Sequence, residues 1–467
     1  MTEKDKQRLR RLKTRPVDRN LAMTRMGVMA GTQVAGHMVL NLFRSGEHKA
    51  EKDRAFYTRQ ARFLADELGQ LKGSVMKVGQ MLSLYGQYFM PPEAVEVLSS
   101  LQDDTAHVDW EFMEPVLHER LDETRLAELD IDHEPLAAAS LGQVHVVHRK
   151  RDGMKLCMKM QYPGLADAID SDVKTMTRLV TVARLVPKGV QLMPVMEEVR
   201  DMLHQEVDYQ RELKMTQMYI DRYADDSRYV VPQVFPEYSS EHLLTTSFEA
   251  GLHVQSPAVQ ALSQERRNRL AENALHLFFD EFFNTGWVQT DPHFGNYRIR
   301  IDEENGQDQI VMLDFGATRQ FRQEFLISYW KIIHGALYRD PDELLDGAWG
   351  IGLLRPEFPK DVRDAFINVC YLIIEPFADP AVHDVPEHLL TESGAYKWGE
   401  SDLPRRASTA IAQAAISRHF RVPPREIVFL HRRLGGVFIL LAVLGAQIHG
   451  REILEAAFRK GSADQSN

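Results

Sequence analysis

The feature that most constrains this chain is a pair of short apolar runs with acidic and amide residues on either side. The runs Tyr297–Ile301 and Gln309–Leu313 flank a charged turn and predict a β-hairpin. Asp291 and Asn296 precede the hairpin, and Asp314-Phe315-Gly316 follows it. A lone Asp-Phe-Gly is weak evidence for any function, whereas both halves around one hairpin are much more specific.

The spacing of these residues matches the protein-kinase pattern. There, D-x-x-x-x-N supplies a base and a magnesium ligand, and D-F-G supplies a second magnesium ligand. Oxygen atoms are the ligands that Mg²⁺ prefers. We therefore predict that Asp291 orients water or an acceptor hydroxyl, that Asn296 and Asp314 bind Mg²⁺, and that the chemistry is phosphoryl transfer from ATP.

A second kinase-like segment lies earlier in the chain. Pro135–Arg149 predicts a loop and then a strand, and Met154–Met160 predicts the return strand of a hairpin. The four fixed places of the kinase glycine loop hold Ala137, Ala139, Gly142 and Val144. Lys159 takes the place of the strand lysine that pairs the α and β phosphates, although a lysine ending a strand is often only exposed at an edge. Alanine restricts positive φ and close backbone approach, so we expect this loop to hold nucleotide in a different way.

Carboxylates that could pair with Lys159 lie on a helix predicted over 194–224, after another over 165–186. Asp208 and Glu212 are four residues apart and share a face, whereas Glu206 is rotated away. One carboxylate can thus pair with Lys159 while another faces a different partner. A merely solvated helix face is the alternative.

The remaining pattern is that of a helical C-terminal lobe. Strands are predicted at Tyr229–Val234 and His242–Ser247, and Phe248–Gly251, which contains Glu249, stands where a kinase joins its lobes and binds adenine. Further helices are predicted over 259–286, 321–339, 341–353, 359–376, 405–419 and 424–446. No Ala-Pro-Glu follows Asp314-Phe-Gly, so the platform on which kinases place a protein substrate is missing.

Composition and the N-terminal residues bear on partners. The net charge of -11 (56 basic minus 67 acidic residues) argues against nucleic-acid binding, and two cysteines favour a reducing compartment. Residues 1–20 are basic, and a helix predicted over Leu21–Phe43 carries Gly27, Gly31 and Ala35 at four-residue spacing. Contact with an anionic membrane surface, a homodimer through the small residues, and docking on the protein itself all stay open. The apolar run Gly435–Ala446 is too short to span a bilayer and predicts a buried helix.

Taken together, these motifs resemble the UbiB-like (aarF-domain) family of atypical kinase-like proteins. The resemblance covers about residues 70–320. It is carried by Lys77-x-Gly79-Gln80, Gln102-Asp103, Ala137-Ala138-Ala139-Ser140, Gly142-Gln143, Lys159, Glu206-x-Asp208, Glu212, Asp291-Pro-His-x-x-Asn296 and Asp314-Phe-Gly316, with Leu430–Gly436 resembling a C-terminal helix. Two departures lie beside Asp291: Phe294 stands where many members have proline, and Thr290 replaces a common alanine.

The resemblance implies an α+β, protein-kinase-like two-lobed fold with an N-terminal helical extension and a largely helical C-lobe. Its implied parts are 1–50 (basic tail and amphipathic helix), 51–134 (helical extension), 135–250 (N-lobe with a helical insertion) and 251–460 (C-lobe). It further implies that Lys77, Gly79 and Gln80 cover the nucleotide cleft, that Lys77 meets the Glu206/Asp208 carboxylates, and that Glu212 pairs with Lys159. Nucleotide binding would involve Ala137 to Ser140, Gly142, Gln143 and Glu249.

The function implied by the resemblance is an ATP- and Mg²⁺-dependent ATPase that supports ubiquinone biosynthesis. Its partners would be isoprenoid lipid or quinone intermediates and the enzymes that modify them, and its location cytoplasmic, peripheral to the inner membrane. Two alternatives stay open: a kinase of a protein or small-molecule hydroxyl, and a non-catalytic, nucleotide-gated module that presents lipids or organises an enzyme complex.

Overall fold

The structure is a computed structural model that describes residues 8–9, 74–86, 90, 95, 98, 107–138, 141–182, 186, 192–415 and 424–464. The described chain divides into two units. The first runs up to Gln217 and includes Gln233–Phe248, and the second comprises Met218–Pro232 and the chain from Glu249 onward. The chain last passes between the units at Phe248, inside the segment that the sequence predicts to join two lobes.

The elements follow in chain order. The helices are α1 (Ser74–Gly86), α2 (Trp110–Arg120), α3 (Glu123–Ala127), α4 (Leu165–Val182), α5 (Leu192–Glu206), α6 (Tyr209–Tyr223), α7 (Pro257–Gln260), α8 (Gln264–Phe279), α9 (Gln323–Leu337), α10 (Pro341–Gly350), α11 (Lys360–Ile373), α12 (Leu403–Ala415), α13 (Arg425–Val443) and α14 (Gly450–Asp464). The strands are β1 (Arg8–Leu9), β2 (His107–Val108), β3 (Leu129–Ile131), β4 (Ala137–Ala138), β5 (Gly142–Arg149), β6 (Met154–Gln161), β7 (Tyr229–Val230), β8 (Leu243–Ser247), β9 (Trp287–Gln289), β10 (Tyr297–Arg300), β11 (Gln309–Met312), β12 (Thr318–Gln320), β13 (Tyr396–Lys397) and β14 (Gln447–Ile448).

The first unit is built on an antiparallel sheet with strand order β3-β5-β6-β8, and β4 pairs with β5. Val147, Leu156, Met158 and Met160 are almost fully buried in its core. The predicted hairpin from Pro135 to Met160 is therefore confirmed. Outside the sheet, α1 packs against α4 and α5.

The second unit places the predicted Asp-Asn-Asp hairpin in a three-stranded sheet. β10 and β11 are antiparallel, with Tyr297 opposite Met312, and β7 adds in parallel to β11. β9 pairs with β12, so the strand before Asp291 lies beside the segment that follows Asp314-Phe-Gly. The predicted β-hairpin is confirmed, and each of its strands ends one residue earlier than expected, at Arg300 and at Met312.

Two predicted long helices are interrupted. The helix predicted over 194–224 is two helices, α5 and α6, because the Asp208 side chain accepts the backbone N–H of Arg211 (2.9 Å) and starts a new helix. The helix predicted over 259–286 is α7, then α8 capped by Ser263, then a π-helical turn that ends at Gly286 with φ of 68°.

Other predictions differ at their ends or lie outside the described residues. The strand predicted over Tyr229–Val234 is only Tyr229–Val230, and α14 was not predicted. Apart from Arg8–Leu9, the basic tail lies outside the described residues, as do Leu21–Phe43 with Gly27, Gly31 and Ala35, and Gln102-Asp103. Within the described part, no helix has both the length and the apolar character needed to cross a membrane. The apolar run predicted as a buried helix forms the end of α13, where Leu441 is buried but Ile439 is 52% exposed.

Candidate functional site

The first unit pairs Lys159 with Glu212, as expected. Lys159 Nζ lies 2.9 and 2.8 Å from the two carboxylate oxygens. The lysine side chain is 20% exposed and that of Glu212 only 3%. Glu212 stands in the first turn of α6, where the helix dipole favours a carboxylate. The centre of the Tyr209 ring lies 5.0 Å from the Lys159 ammonium group. Lys159 is therefore positioned by an ion pair with Glu212 and by a cation–π contact with Tyr209.

A second lysine–carboxylate pair lies in the same unit. Lys77 Nζ is 2.6 Å from Glu206 Oε1, with side chains 18% and 29% exposed. Lys77 belongs to α1 and Glu206 ends α5. Glu206 and Glu212 thus have different lysine partners, which confirms the geometry predicted for this segment.

Asp208 and Gln80, two further residues of these motifs, make hydrogen bonds at the start of α6 and within α1. Asp208 caps α6 through the N–H of Arg211. Gly79 is buried within α1, and the carbonyl of Gln80 accepts the hydroxyl of Ser83 (2.6 Å). Regulatory roles for Lys77, Gly79, Gln80, Glu206 and Asp208 stay predictions.

The segment that contains Ala137 and Ala138 pairs with the strand next to the one that carries Lys159. Ala137 and Ala138 form β4 opposite Val144 and Gln143, while Ala139 and Ser140 lie outside the described residues. Gly142 has no room for a side chain, since a Cβ would lie 2.4 Å from the carbonyl oxygen of Met160. This glycine is therefore needed for strand packing.

Gln143, which we predicted to bind nucleotide, is fully buried. Its side chain accepts the N–H of Val108 (3.0 Å), donates to the carbonyl of the same residue (3.2 Å) and contacts His145 (2.8 Å). The structure thus gives the Gln143 side chain a structural role, and only its main chain is left to contact a nucleotide. Glu249, in the second unit, pairs with Arg300 (2.6 Å), and its adenine-binding role stays a prediction.

Asp291 is held on both carboxylate oxygens in the second unit. Oδ2 accepts the Asn296 amide (3.0 Å), and Oδ1 accepts the Arg432 guanidinium (2.6 Å). The Asn296 amide also donates to the Asp291 carbonyl (3.2 Å). The predicted base and the predicted metal ligand are therefore joined directly, and an arginine from α13 completes the arrangement.

Asn296 and Asp314 are brought together by the backbone. The N–H of Leu313, just before Asp314, donates to the carbonyl of Asn296 (2.9 Å). The Asn296 amide nitrogen faces Asp291, which leaves its oxygen as the ligand atom, and Asp314 Oδ1 accepts the N–H of Gly316 (2.9 Å). One carboxylate and one amide oxygen fit Mg²⁺ that takes its other ligands from phosphates and water. The described residues include no group of three or more His, Cys, Asp or Glu that could hold a metal.

The two unusual residues beside Asp291 have visible contacts. Thr290 donates its hydroxyl to the carbonyl of Ala317 (2.7 Å), a bond that alanine could not make. Phe294 lies edge-on to His253, with ring centroids 6.2 Å apart. Thr290 thus adds a bond between the segment before Asp291 and the segment after Asp314.

Sequence reasoning missed the contribution of α13 to this site. Arg432 binds Asp291, and a Cβ on Gly436 would lie 1.9 Å from Cβ of Pro292, so helix and loop are in close contact there. Arg298 was also missed: its Nη1 donates to the carbonyls of Phe294, Gly295 and Tyr297 at 2.9–3.3 Å. Burial lowers the pKa of Arg298. The Gly435-Gly436 pair in an apolar helix was the available signal for a close contact.

Comparison with known proteins gives a consistent result. A family model described as the ABC1 atypical kinase-like domain matches residues 100–346. The atypical kinase COQ8, mitochondrial, of Saccharomyces cerevisiae is 29% identical over 399 residues, 85% of this chain and 75% of that protein. COQ8B of Rattus norvegicus is 28% identical over 98% of this chain and 83% of its own length. A solved structure of Rv3197 from Mycobacterium tuberculosis with erythromycin matches with a TM-score of 0.54 at 23% identity, covering 83% of this chain and 93% of that one. The predicted α+β, kinase-like fold is confirmed.

Proposed function

Because the chain belongs to the ABC1 atypical kinase-like domain family, we propose that this atypical kinase-type enzyme binds ATP with Mg²⁺ and hydrolyses it in support of ubiquinone biosynthesis. The observation that carries the nucleotide assignment is the Lys159–Glu212 pair. Kinase-type sites need such a pair to position the lysine that binds phosphate. In the proposal Lys159 orients the phosphates, and Asn296 and Asp314 hold Mg²⁺, which offsets phosphate charge.

The role of Asp291 follows from its contacts. With Oδ2 on Asn296 and Oδ1 on Arg432, its carboxylate is fixed in place and its charge is offset by a guanidinium. Such a carboxylate suits the orientation of a water molecule better than the removal of a proton from a bulky acceptor. Hydrolysis is therefore our first candidate reaction.

The quinone and membrane parts of the proposal have a different basis. The two relatives described above are named COQ8 and COQ8B, and the motifs resemble a family associated with ubiquinone biosynthesis. Basic residues at the start of the chain suit attraction to anionic headgroups. We propose a protein peripheral to the inner membrane, acting on or beside isoprenoid quinone intermediates.

ATP turnover tests the nucleotide and metal assignment. The purified chain should hydrolyse ATP only with Mg²⁺, and Asp314→Asn should lose at least about 90% of the rate, since catalysis here depends on metal-held phosphate charge. Asp346→Asn is the matched control: it removes a carboxylate that is 59% exposed and pairs with Lys331 on the surface. Wild-type turnover in Asp314→Asn would refute the metal assignment.

A nucleotide-gated binding module is the second candidate. The observation that favours it is the double engagement of Asp291, which leaves this carboxylate poorly placed to accept a proton. Cells that depend on the protein for quinone synthesis would separate the two. The module predicts that Asp291→Asn supports quinone synthesis and Asp314→Asn does not, whereas the enzyme predicts that both fail.

A further inference from the structure

The strand that leads into Asp291 ends in a buried glutamine with three hydrogen bonds. Gln289 is 3% exposed. Its Oε1 accepts the backbone N–H of Asp291 (3.1 Å) and the hydroxyl of Tyr297 (3.1 Å). Its Nε2 donates to the backbone carbonyl of Asp314 (3.3 Å). The Gln289 side chain thus contacts the main chain of both aspartates, Asp291 and Asp314, on which the proposed chemistry depends.

The orientation of this amide is fixed by its partners. A backbone N–H can only donate and a backbone carbonyl can only accept, so Oε1 must face Asp291 and Nε2 must face Asp314. A flipped amide would set two donors against each other and two acceptors against each other. The side chain at this position therefore needs a donor on one side and an acceptor on the other, and an amide supplies both.

A buried hydrogen-bond network contacts Gln289 through the hydroxyl of Tyr297. Arg433 donates to the hydroxyl oxygen of Tyr297 (2.6 Å), so the Tyr297 proton is directed to Gln289. Arg433 also pairs with Glu281 (3.0 Å), and Glu281 accepts the hydroxyl of Tyr219 (2.6 Å). Arg433 and Glu281 are 4% and 1% exposed, so water does not loosen these contacts.

We propose that Gln289 is a positioning residue that holds the backbone of Asp291 and of Asp314 in a fixed relation. The role rests on the proposed function, since it matters only where both carboxylates serve one nucleotide–metal complex. In kinases of the H-R-D type, histidine stands two residues before the catalytic aspartate, which is the place of Gln289 here. A neutral imidazole and an amide both offer one donor side and one acceptor side.

The test compares Gln289→Met, which keeps the length but has no donor N–H and no oxygen acceptor, with Tyr396→Phe. Tyr396 is 3% exposed, and its hydroxyl bonds Glu375 and Ser401 in a separate buried network of the same unit. Both variants therefore lose buried hydrogen bonds, but only one loses contacts to Asp291 and Asp314. Thermal unfolding checks that both are folded.

Two readouts distinguish positioning from general destabilisation. Hydrogen exchange of the Asp291 amide, measured without nucleotide, should be about tenfold faster in Gln289→Met, because its acceptor is gone. Binding of Mn²⁺ as a Mg²⁺ substitute, measured by electron paramagnetic resonance with a non-hydrolysable ATP analogue, should weaken by about tenfold. Tyr396→Phe should change neither. If Gln289→Met does not fold, Tyr297→Phe, which removes one of the two donors to Oε1, should show both changes at smaller size.

The outcomes separate this inference from the proposed function. Wild-type protein that binds no Mn²⁺ with the analogue would overturn the proposed function, and the positioning role with it. Wild-type binding with a Gln289→Met variant that matches Tyr396→Phe in both readouts would overturn the positioning role alone.

Discussion

Replacing Glu212 by glutamine should lower the free energy of unfolding far more than the same change at Glu206. Both residues pair with a lysine, at 2.8 Å for Lys159 and at 2.6 Å for Lys77, so distance does not separate them. Burial does: the Glu212 side chain is 3% exposed and that of Glu206 is 29% exposed. Charge pairs that water can reach are screened, whereas buried ones are not.

The magnitudes follow from this difference. Removing one partner of a fully buried pair costs about 3–5 kcal/mol, and Lys159 retains partial solvation, so we expect a loss of about 2–3 kcal/mol for Glu212→Gln. For Glu206→Gln the expected loss is about 0.2–1 kcal/mol. If only molecules with the Lys159–Glu212 pair in place are competent, 2–3 kcal/mol corresponds to a decrease in ATP turnover of about 30- to 150-fold.

Urea unfolding and steady-state ATP turnover of the two variants, measured in parallel with wild type, test this reasoning. Tyr209, whose ring contacts the Lys159 ammonium, stays in place in both variants and limits how far Lys159 can move. A loss of stability in Glu206→Gln equal to or larger than that in Glu212→Gln would refute the argument from burial.

Three further outcomes follow from other contacts. Arg433→Met should lower the free energy of unfolding by about 3–5 kcal/mol in urea titrations, because it leaves a buried carboxylate unpaired. Burial lowers the pKa of His145, so the imidazole takes up a proton less readily in the folded state than in the unfolded state. The free energy of unfolding should therefore be highest above the ordinary histidine pKa of about 6.5 and should fall as the pH drops below it. An NMR titration of the imidazole should place the pKa of the folded state below about 6.5. Gly436→Ala should lower the melting temperature, because the added Cβ would overlap Pro292. Gly435→Ala should raise the melting temperature, because nothing lies within 4 Å of the added Cβ and alanine favours the helix by up to about 1 kcal/mol over glycine. Equal shifts in the two variants would contradict this difference in packing.

Local patterns in the sequence were sufficient to predict the strands that carry Lys159 and the strands that flank Asp291 and Asp314. The hairpin at Tyr297–Met312 and the strands before Lys159 have strong alternation and turn signals, and both formed as expected. The helix pattern predicted only that one of its carboxylates could pair with Lys159. The family resemblance implied that this carboxylate is Glu212, which is the pair observed. The four-part division of the chain stays a prediction.

Breaks within helical segments were harder to predict. Residues 194–224 have an almost continuous helical pattern, and the break depends on a single side chain, Asp208, that bonds the backbone of Arg211 in preference to continuing the turn. Composition does not separate an aspartate that caps a helix from one on a helix surface. The same ambiguity led us to treat Asp208 and Glu212 as neighbours on one helix face.

The contacts of α13 could not be predicted because they join residues far apart in the sequence. Arg432 and Asp291 are separated by 141 positions, and no periodicity relates them. Consecutive arginines point to different partners: Arg432 to the carboxylate of Asp291, and Arg433 to buried Glu281 and Tyr297. On the same helix, Gly436 packs on Pro292, next to the Asp291 that Arg432 contacts. A helix far along the chain from Asp291 thus fixes the position of its carboxylate, so a change in α13 should alter Asp291 as directly as a change in its own loop.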